Sequence, residues 1–211
     1  PGNGASDRVT DPVRYTPAAY AADAAAVMDA CEIRRAVAVG LSLGAGYALE
    51  LADLRPRSIA GLVLIGASLP LGPALPQRTG IADRFLDPAP DAPTGWDRYN
   101  LEYWHRHYGE FTEWFFAEAL SEPHSTKARE DAVAWAAETE PGVLQAEAFQ
   151  PPPRRHAAEI LTQLRCPTLI VHGDDDRITS YEVGSEAARL SGGVLATFAG
   201  SGHIPNLRDP V

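Results

Sequence analysis

The sequence predicts an α/β protein: a parallel sheet with flanking helices and a helical cap insertion. Four short apolar runs, each suited to a buried strand, alternate with segments of helical pattern. Strands that alternate with helices are typical of β-α-β units, in which consecutive strands run parallel. Residues 96–150 break the alternation because they carry helical patterns without a buried strand. They therefore predict an insertion that lies on top of the sheet.

The elements of the sheet region can be assigned in order along the chain. They are a helix over residues 17–31, a strand over 36–40, a helix over 43–54, strands over 59–65 and 168–171, a helix over 180–190 and a strand over 194–198. The first helix is rich in Ala after Pro17, and its Val27 and Met28 can face the core. The run Ala36–Gly40 lacks polar alternation, which predicts a strand buried on both faces.

The insertion divides the chain into three predicted segments: core residues 1–69, a helical cap over 70–155 and core residues 156–211. Nine aromatic side chains lie between residues 96 and 116. Four of them are spaced 4, 3 and 4 residues apart, which places them on one helical face. They are Trp104, Tyr108, Phe111 and Phe115. This face is expected to pack the cap onto the core, to line an apolar substrate pocket, or to do both.

Composition excludes several classes of protein. The chain has 18 Lys+Arg and 28 Asp+Glu, a net charge of −10. Nucleic acids and anionic membrane surfaces need clustered positive charge, so neither is an expected partner. No uninterrupted apolar run of about 18 residues occurs, so no transmembrane helix is expected. Two cysteines, Cys31 and Cys166, are too few for a disulfide framework and favour a reducing, cytoplasmic compartment.

The motif Gly40-Leu41-Ser42-Leu43-Gly44 matches G-x-S-x-G and stands between an apolar strand and a helix. In this context it indicates a sharp turn that holds a serine in a strained conformation above the sheet. Glycines two residues before and after the serine are expected to leave room for the backbone to fold back. The alternative is a glycine-rich turn with an incidental serine. A phosphate-binding loop is disfavoured because the glycine patterns of such loops are incomplete here.

A serine nucleophile needs a base, and His203 is the candidate among six histidines. It follows the last predicted strand in a glycine-flanked loop that can carry an imidazole over a strand end. A solvated loop histidine is the alternative. His172 ends a core strand and is interpreted as structural. His105 and His107 are two residues apart and diverge on a helix, so a metal pair is disfavoured there.

The base needs a carboxylate that orients it and stabilises its imidazolium. Asp174, Asp175 and Asp176 follow the third predicted strand at its carboxyl end, where α/β sheets gather functional side chains. Asp176 is the candidate and Asp174 the reserve. The alternative is that these aspartates cap the next helix or stay solvated. The chain order Ser42, Asp176, His203 is the one found in α/β hydrolases and differs from the order in other serine-triad folds.

On these motifs the sequence resembles the α/β-hydrolase superfamily over nearly its whole length. Residues 40–44 resemble its nucleophile elbow, residues 166–176 its seventh strand and acid loop, and Gly202-His203 its histidine loop. The opening Gly2–Asp7 is similar to the segment after strand four. The cap segment Glu122–Lys127 is similar to uncharacterised actinobacterial hydrolases related to cyclase-fused ones.

The resemblance implies a fragment of a longer hydrolase, with strands one to four before residue 1 and a final helix that starts near Asn206. It also implies an oxyanion hole that uses the N–H of Leu43 and a second N–H from outside this sequence. Losing one such donor costs about 10²–10³ in rate, and an open strand edge favours aggregation. We therefore expect the isolated chain to be weakly active or poorly soluble.

The implied function is that of a serine hydrolase of carboxylic esters or related acyl compounds, with no cofactor or metal. Ser42 is the expected nucleophile, His203 the base and Asp176 the orienting acid. The expected substrate-binding residues are Leu41, Trp104, Tyr108 and Phe111. Two alternatives stay open: acyl transfer or C–C bond hydrolysis on the same triad, and a weakly catalytic ligand-sensing module fused to a signalling domain.

Overall fold

A parallel sheet forms the centre of residues 1–208, the part of the chain that the computed structural model describes. Its strands are β1 (Ala36–Leu41), β2 (Ile59–Ile65), β3 (Thr168–Gly173) and β4 (Val194–Phe198). They lie side by side in chain order, and each neighbouring pair is parallel. Parallel neighbours require crossover connections, which helices supply here. The predicted fold class is confirmed.

Ten α-helices accompany the sheet within residues 1–208. They are α1 (Pro17–Ala30), α2 (Leu43–Leu54), α3 (Ile81–Arg84), α4 (Leu101–Arg106), α5 (Tyr108–Ala119), α6 (Thr126–Ala136), α7 (Pro141–Ala148), α8 (Ala157–Gln163), α9 (Tyr181–Ser191) and α10 (Pro205–Arg208). Short 3₁₀ helices occupy Pro12–Tyr15, Pro76–Arg78 and Gly95–Arg98. None of these described helices is long and apolar enough to cross a membrane. The predicted final helix begins as α10, and its continuation over 209–211 falls outside the described residues.

The main core lies between one face of the sheet and the helices α2, α8 and α9. Leu62 and Leu64 of β2 and Ile170 of β3 point to this face because they alternate along their strands. They pack against Leu49 of α2 and Ile160 of α8, and all five side chains are buried. This layer fixes the carboxyl ends of the strands, where the candidate site lies.

Strand β1 departs from the sequence prediction. Val37 and Val39 are 58% and 62% exposed, so the strand is not buried on both faces. Among the described residues β1 pairs with β2 alone, and one of its faces lacks a covering layer there. A similar correction applies to α1, in which Met28 faces the core but Val27 is 60% exposed.

The segment from α3 to α7 is helical and contains no strand, as the sequence predicts. The four spaced aromatics do not share one helix, however, because α4 ends at Arg106 and α5 starts at Tyr108. His107, with φ −138° and ψ 44°, breaks the helix between them. Trp104 and Phe111 still pack together across the break, with ring centroids 5.1 Å apart. The predicted domain boundaries at 69/70 and 155/156 stay a prediction.

Candidate active site

Ser42 occupies a strained turn between β1 and α2. Its φ of 53° and ψ of −119° lie outside the ordinary regions for a residue with a side chain. Such a conformation costs about 1–3 kcal/mol and persists only where the surroundings enforce it. Two main-chain hydrogen bonds do so: Ser42 N–H donates to the carbonyl of Ile65 at 2.9 Å, and Ser68 N–H donates to the carbonyl of Ser42 at 3.1 Å.

Gly40 is the glycine that this turn requires. A Cβ on Gly40 would lie 2.2 Å from the carbonyl oxygen of Gly44 and 2.6 Å from Cα of Ala45. The strand and the first turn of α2 therefore approach too closely for any side chain at position 40. The equal role expected for Gly44 is wrong, because a Cβ there would meet no described atom within 4 Å beyond its chain neighbours and the backbone of its own helix.

Asp176 and His203 form a buried hydrogen-bonded pair. His203 Nδ1 lies 2.8 Å from Asp176 Oδ2, and the two residues are 3% and 7% exposed. The other carboxylate oxygen, Oδ1, accepts the main-chain N–H groups of Ile178 at 2.7 Å and Thr179 at 2.9 Å. Because the Asp176 carboxylate accepts the Nδ1–H of His203, the neutral imidazole has no proton on its other nitrogen. That nitrogen, Nε2, is therefore a hydrogen-bond acceptor.

His172, interpreted from the sequence as structural, also contacts the same carboxylate. Its ring is fully buried, and its Nε2 lies 3.2 Å from Asp176 Oδ2 and 3.3 Å from the carbonyl of Thr179. Burial by itself would raise the pKa of Asp176. The hydrogen bonds from His172, His203 and the main chain outweigh that effect and hold the pKa far below its usual value. Asp176 is thus a fixed anion at neutral pH.

The other two aspartates of the acid loop have different neighbours. Asp174 Oδ1 accepts the N–H of Gly200 at 2.5 Å, which ties the acid loop to the loop that carries His203. Asp175 pairs at the surface with Arg177, at 3.4 Å. Neither contacts the imidazole among the described contacts, so the geometry favours Asp176 over the reserve candidate Asp174.

Gly66 brings His203 next to the serine turn. It follows Ile65, the residue that accepts the N–H of Ser42, and a Cβ on Gly66 would lie 3.1 Å from His203 Nδ1. His203 Nε2 is buried and has no hydrogen-bond partner within residues 1–208. The structure therefore joins the acid to the base but includes no hydrogen bond from Ser42 Oγ to the base. Such contacts are often loose without substrate.

Glu122 anchors the histidine loop to the cap and was not predicted from the sequence. Its Oε1 accepts the N–H of Gly202 at 2.7 Å and the hydroxyl of Ser201 at 3.0 Å. Burial would raise its pKa, but these hydrogen bonds, together with one from Ser125, leave the pKa of Glu122 below its usual value. The N–H of His203 itself donates to the carbonyl of Ala119, at 3.0 Å. Because Glu122 and Gly202 are 80 positions apart, only the folded chain shows the contact.

Two cavities flank the site, and Tyr99 lines both. The first, which we call the aromatic cavity, has about 570 Å³. Three of the four predicted substrate-binding residues line it: Trp104, Tyr108 and Phe111. The predicted oxyanion residue, Leu43, lines it as well. Leu41, the fourth predicted residue, lines neither cavity. The second, which we call the arginine cavity, has about 630 Å³ and is lined by Ser68, Arg78, Phe149 and Thr179 among others.

A carboxyl group, Glu147, lies in the wall of the aromatic cavity. The hydroxyl of Tyr47 donates to its Oε1 at 2.5 Å. Burial raises the pKa of Glu147, and the hydrogen bond from Tyr47 opposes this only in part. The main-chain N–H of Leu43, at the first position of α2, has no acceptor within the helix, as at any helix start. It also has no acceptor among the other described main-chain hydrogen bonds, so it is available to an anionic oxygen.

Among residues 1–208, no three His, Cys, Asp or Glu side chains are grouped so that they could hold a metal ion. His105 and His107 do not share a helix, because α4 ends at Arg106, and they have separate partners. His105 Nε2 lies 2.8 Å from Gln145 Oε1, and His107 Nδ1 lies 3.0 Å from Glu110 Oε1.

The fold places the chain in a class of α/β proteins whose functional side chains gather at the carboxyl ends of parallel strands. Comparison with known families makes this specific. The model of the Alpha/beta hydrolase family matches residues 1–211, and the chain belongs to this family. The family resemblance that the sequence motifs indicated is thereby confirmed. No curated protein matches the chain.

Solved structures share the fold across the whole chain. Esterase RhEst1 from Rhodococcus sp. ECU1013 is 22% identical, with a TM-score of 0.76 over 100% of this chain and 73% of that one. A hydrolase from Pseudomonas aeruginosa PA01 is 28% identical, with a TM-score of 0.72 over 99% and 72%. A bromoperoxidase from Bacillus anthracis is 19% identical, with a TM-score of 0.71 over 98% and 73%. Because these similar folds have different names, the activity has to be argued from the site.

Proposed function

We propose that this protein is a serine hydrolase that cleaves carboxylic esters or related acyl compounds through an acyl-enzyme. Ser42 is the nucleophile, His203 the general base and Asp176 the residue that orients it. The observation that carries the proposal is the buried contact of 2.8 Å between His203 Nδ1 and Asp176 Oδ2, next to a serine held in a strained strand–helix turn.

The first half-reaction follows from which atoms are free. Asp176 holds the proton on Nδ1 of His203, so the Nε2 lone pair takes the proton of the Ser42 hydroxyl. The serine oxygen bonds to the substrate carbonyl carbon, and the electron pair of the C=O moves to oxygen. The N–H of Leu43 stabilises that oxyanion. Collapse expels the alcohol, which receives the proton from Nε2 and leaves an ester on Ser42.

The second half-reaction repeats these proton movements with water. His203 Nε2 removes a proton from water, whose oxygen bonds to the acyl carbon. Collapse breaks the bond to Ser42, the serine oxygen regains the proton and the carboxylic acid leaves. Burial of Asp176 and His203 shields the pair from solvent, and the low pKa of Asp176 keeps the counter-charge present while His203 is protonated.

Substrate size follows from the cavities. The aromatic cavity, with about 570 Å³, is in the range of sites for small to medium ligands. RhEst1, similar to this chain, is an esterase, which supports ester cleavage as the reaction. A cytoplasmic location is proposed on the two cysteines alone, both of which are free thiols.

Hydrolysis of 4-nitrophenyl butyrate tests the proposal. Ser42→Ala and His203→Ala are each expected to lower kcat by at least about 10³-fold. Ser58→Ala is a matched control, because Ser58 precedes β2 away from the site, and it is expected to keep full activity. Activity that survives Ser42→Ala would refute the assignment. Transfer of the acyl group to an added alcohol, or cleavage of a C–C bond in a parallel panel, would redirect the reaction type while retaining the triad.

A further inference from the structure

Among residues 1–208, the wall of the arginine cavity carries one positive charge and no negative one. Arg78 is the single charged residue of this described part of the chain that lines it, and no Asp or Glu there does so. The aromatic cavity is opposite in this respect: the single ionisable acid or base among the described residues of its wall, apart from tyrosines, is Glu147. The two cavities share the lining residues Tyr99 and Ala148, so a cationic end and an end that carries a buried carboxyl group lie side by side.

Arg78 forms no ion pair with any of the described residues. None of the ion pairs within residues 1–208 includes it, although the neighbouring Arg84 pairs with Asp97 at 3.7 Å. Its Nη1 donates to the carbonyl of Ile178, and its guanidinium lies over the ring of Trp96, 4.7 Å from the centroid. The remaining guanidinium N–H groups have no acceptor among these described contacts.

Half-burial makes this arrangement costly. Burial lowers the pKa of Arg78, against the opposing influence of Tyr99 and Asp176. Buried charges in proteins are ordinarily paired, because removal of a charge from water is unfavourable unless a partner compensates. A guanidinium kept without an acid at the wall of a cavity is therefore suited to pair with a charge that a ligand brings.

The cavity adjoins the reacting groups. Ser68, in its wall, donates its N–H to the carbonyl of Ser42 at 3.1 Å. Ile178 and Thr179, also in its wall, donate their N–H groups to Asp176. These contacts place the arginine cavity beside both the serine turn and the carboxylate that holds His203.

We propose that Arg78 binds a carboxylate on the substrate, so that the preferred substrates are anionic acyl compounds. This inference rests on the proposed function of Ser42. The planar guanidinium matches a carboxylate through paired N–H···O bonds. The carboxylate would occupy the arginine cavity and the neutral part of the substrate the aromatic cavity, because none of the described residues in the wall of the aromatic cavity is a Lys or Arg.

The test compares esters of matched length. One is the 4-nitrophenyl monoester of glutaric acid, which is anionic, and the other is 4-nitrophenyl valerate, which is neutral. A second pair, 4-butyryloxybenzoate and phenyl butyrate, places the carboxylate on the alcohol side. For each pair, the measured quantity is kcat/KM of the anionic ester divided by kcat/KM of the neutral ester. For one of the two pairs, Arg78→Gln is expected to lower this ratio by about 10–100-fold. Arg78→Lys, which keeps the charge, is expected to retain part of the preference.

Arg84→Gln is the control, because it removes an arginine that already has a carboxylate partner, and it is expected to leave both ratios unchanged. Unchanged ratios in Arg78→Gln, including equal loss on both esters of a pair, would overturn the inference and leave the proposed function intact.

Binding separates the two proposals further. Calorimetry of glutarate and 4-butyryloxybenzoate with the Ser42→Ala variant measures the anion site without turnover. At least one affinity is expected to fall at least about tenfold when Arg78→Gln is added. If no ester is cleaved but binding depends on Arg78, the proposed function fails and the carboxylate site stands. Binding that is absent or independent of Arg78 overturns the site.

Discussion

The backbone of Gly66 lies against His203, with no space for a side chain between them. A Cβ at position 66 would be 2.4 Å from the carbonyl oxygen of His203 and 3.1 Å from its Nδ1. Position 66 therefore limits how closely the histidine loop approaches the carboxyl end of β2. The last residue of that strand, Ile65, accepts the N–H of Ser42. The imidazole depends for its place on a glycine more than 130 positions earlier in the chain.

Gly66→Ala is predicted to displace His203 and to reduce esterase activity by at least about 10²-fold, because displacements of 1 Å have effects of that size. Gly95→Ala is the matched control: both glycines have φ 49°, but a Cβ on Gly95 meets no described atom within 4 Å. In both variants an alanine has to adopt a positive φ, and thermal unfolding measures the resulting loss of stability. Only Gly66→Ala should also lose activity. Equal activities in the two variants would contradict the contact.

Asp176→Asn is predicted to lower kcat by about 10⁴-fold, because an amide no longer fixes the tautomer of His203 that the mechanism requires. Asp174→Asn is expected to stay within a few-fold of wild type, since the amide oxygen can still accept the N–H of Gly200. Steady-state kinetics on 4-nitrophenyl butyrate distinguish the two. A larger loss in Asp174→Asn would assign the acid to the reserve residue.

Glu122→Ala is predicted to lower kcat by about 10–100-fold with a smaller change in KM, because the loop that carries His203 loses the acceptor of two hydrogen bonds. Glu122→Gln keeps an acceptor oxygen and should recover most of the rate. Glu130→Ala, at an exposed position on α6, is the control. A purely structural role would lower the melting temperature of Glu122→Ala without changing kcat of the folded protein.

Glu147→Gln is predicted to stabilise the protein more at pH 7.5 than at pH 4. The folded-state pKa of Glu147 is raised by burial. As pH rises above the ordinary value of about 4.3, the unfolded chain releases this proton more readily than the folded one, so folding becomes less favourable. Glutamine removes that dependence.

The measurement is the difference in melting temperature between Glu147→Gln and wild type at the two pH values. A shift of a few degrees at pH 7.5 is expected, since 1 kcal/mol corresponds to roughly 2–4 °C at this chain length. Glu113→Gln, at an exposed position on α5, is the control. A difference that shrinks as pH rises would contradict the assignment.

The elements that the sequence predicts best are those whose ends are marked by nearby residues typical of turns. The helix over 43–54 and the strand over 59–65 match α2 and β2 at both ends, because glycines and charged turns bound them. The burial of β1 could not be predicted in the same way. Continuous apolar sequence shows that a strand can be buried, but coverage of Val37 and Val39 depends on neighbours that local pattern does not reveal.

The same difference between local pattern and long-range contact applies to the residues of the candidate site. Ser42, Asp176 and His203 can be proposed from the sequence because each lies at a strand end in a recognisable loop. Glu122 and Arg78 cannot, because a buried carboxylate and an unpaired guanidinium are defined by contacts between distant segments. The helix break at His107 was also missed, although the aromatics on its two sides still pack together.

The central claim is that the Ser42 hydroxyl is the activated nucleophile, and a fluorophosphonate probe tests it most directly. After labelling and proteolysis, mass spectrometry is predicted to find the phosphonyl adduct on Ser42. The adduct should be absent in Ser42→Ala and form far more slowly in His203→Ala. A folded protein that stays unlabelled, or that carries the adduct on another serine with Ser42 unmodified, would contradict the account.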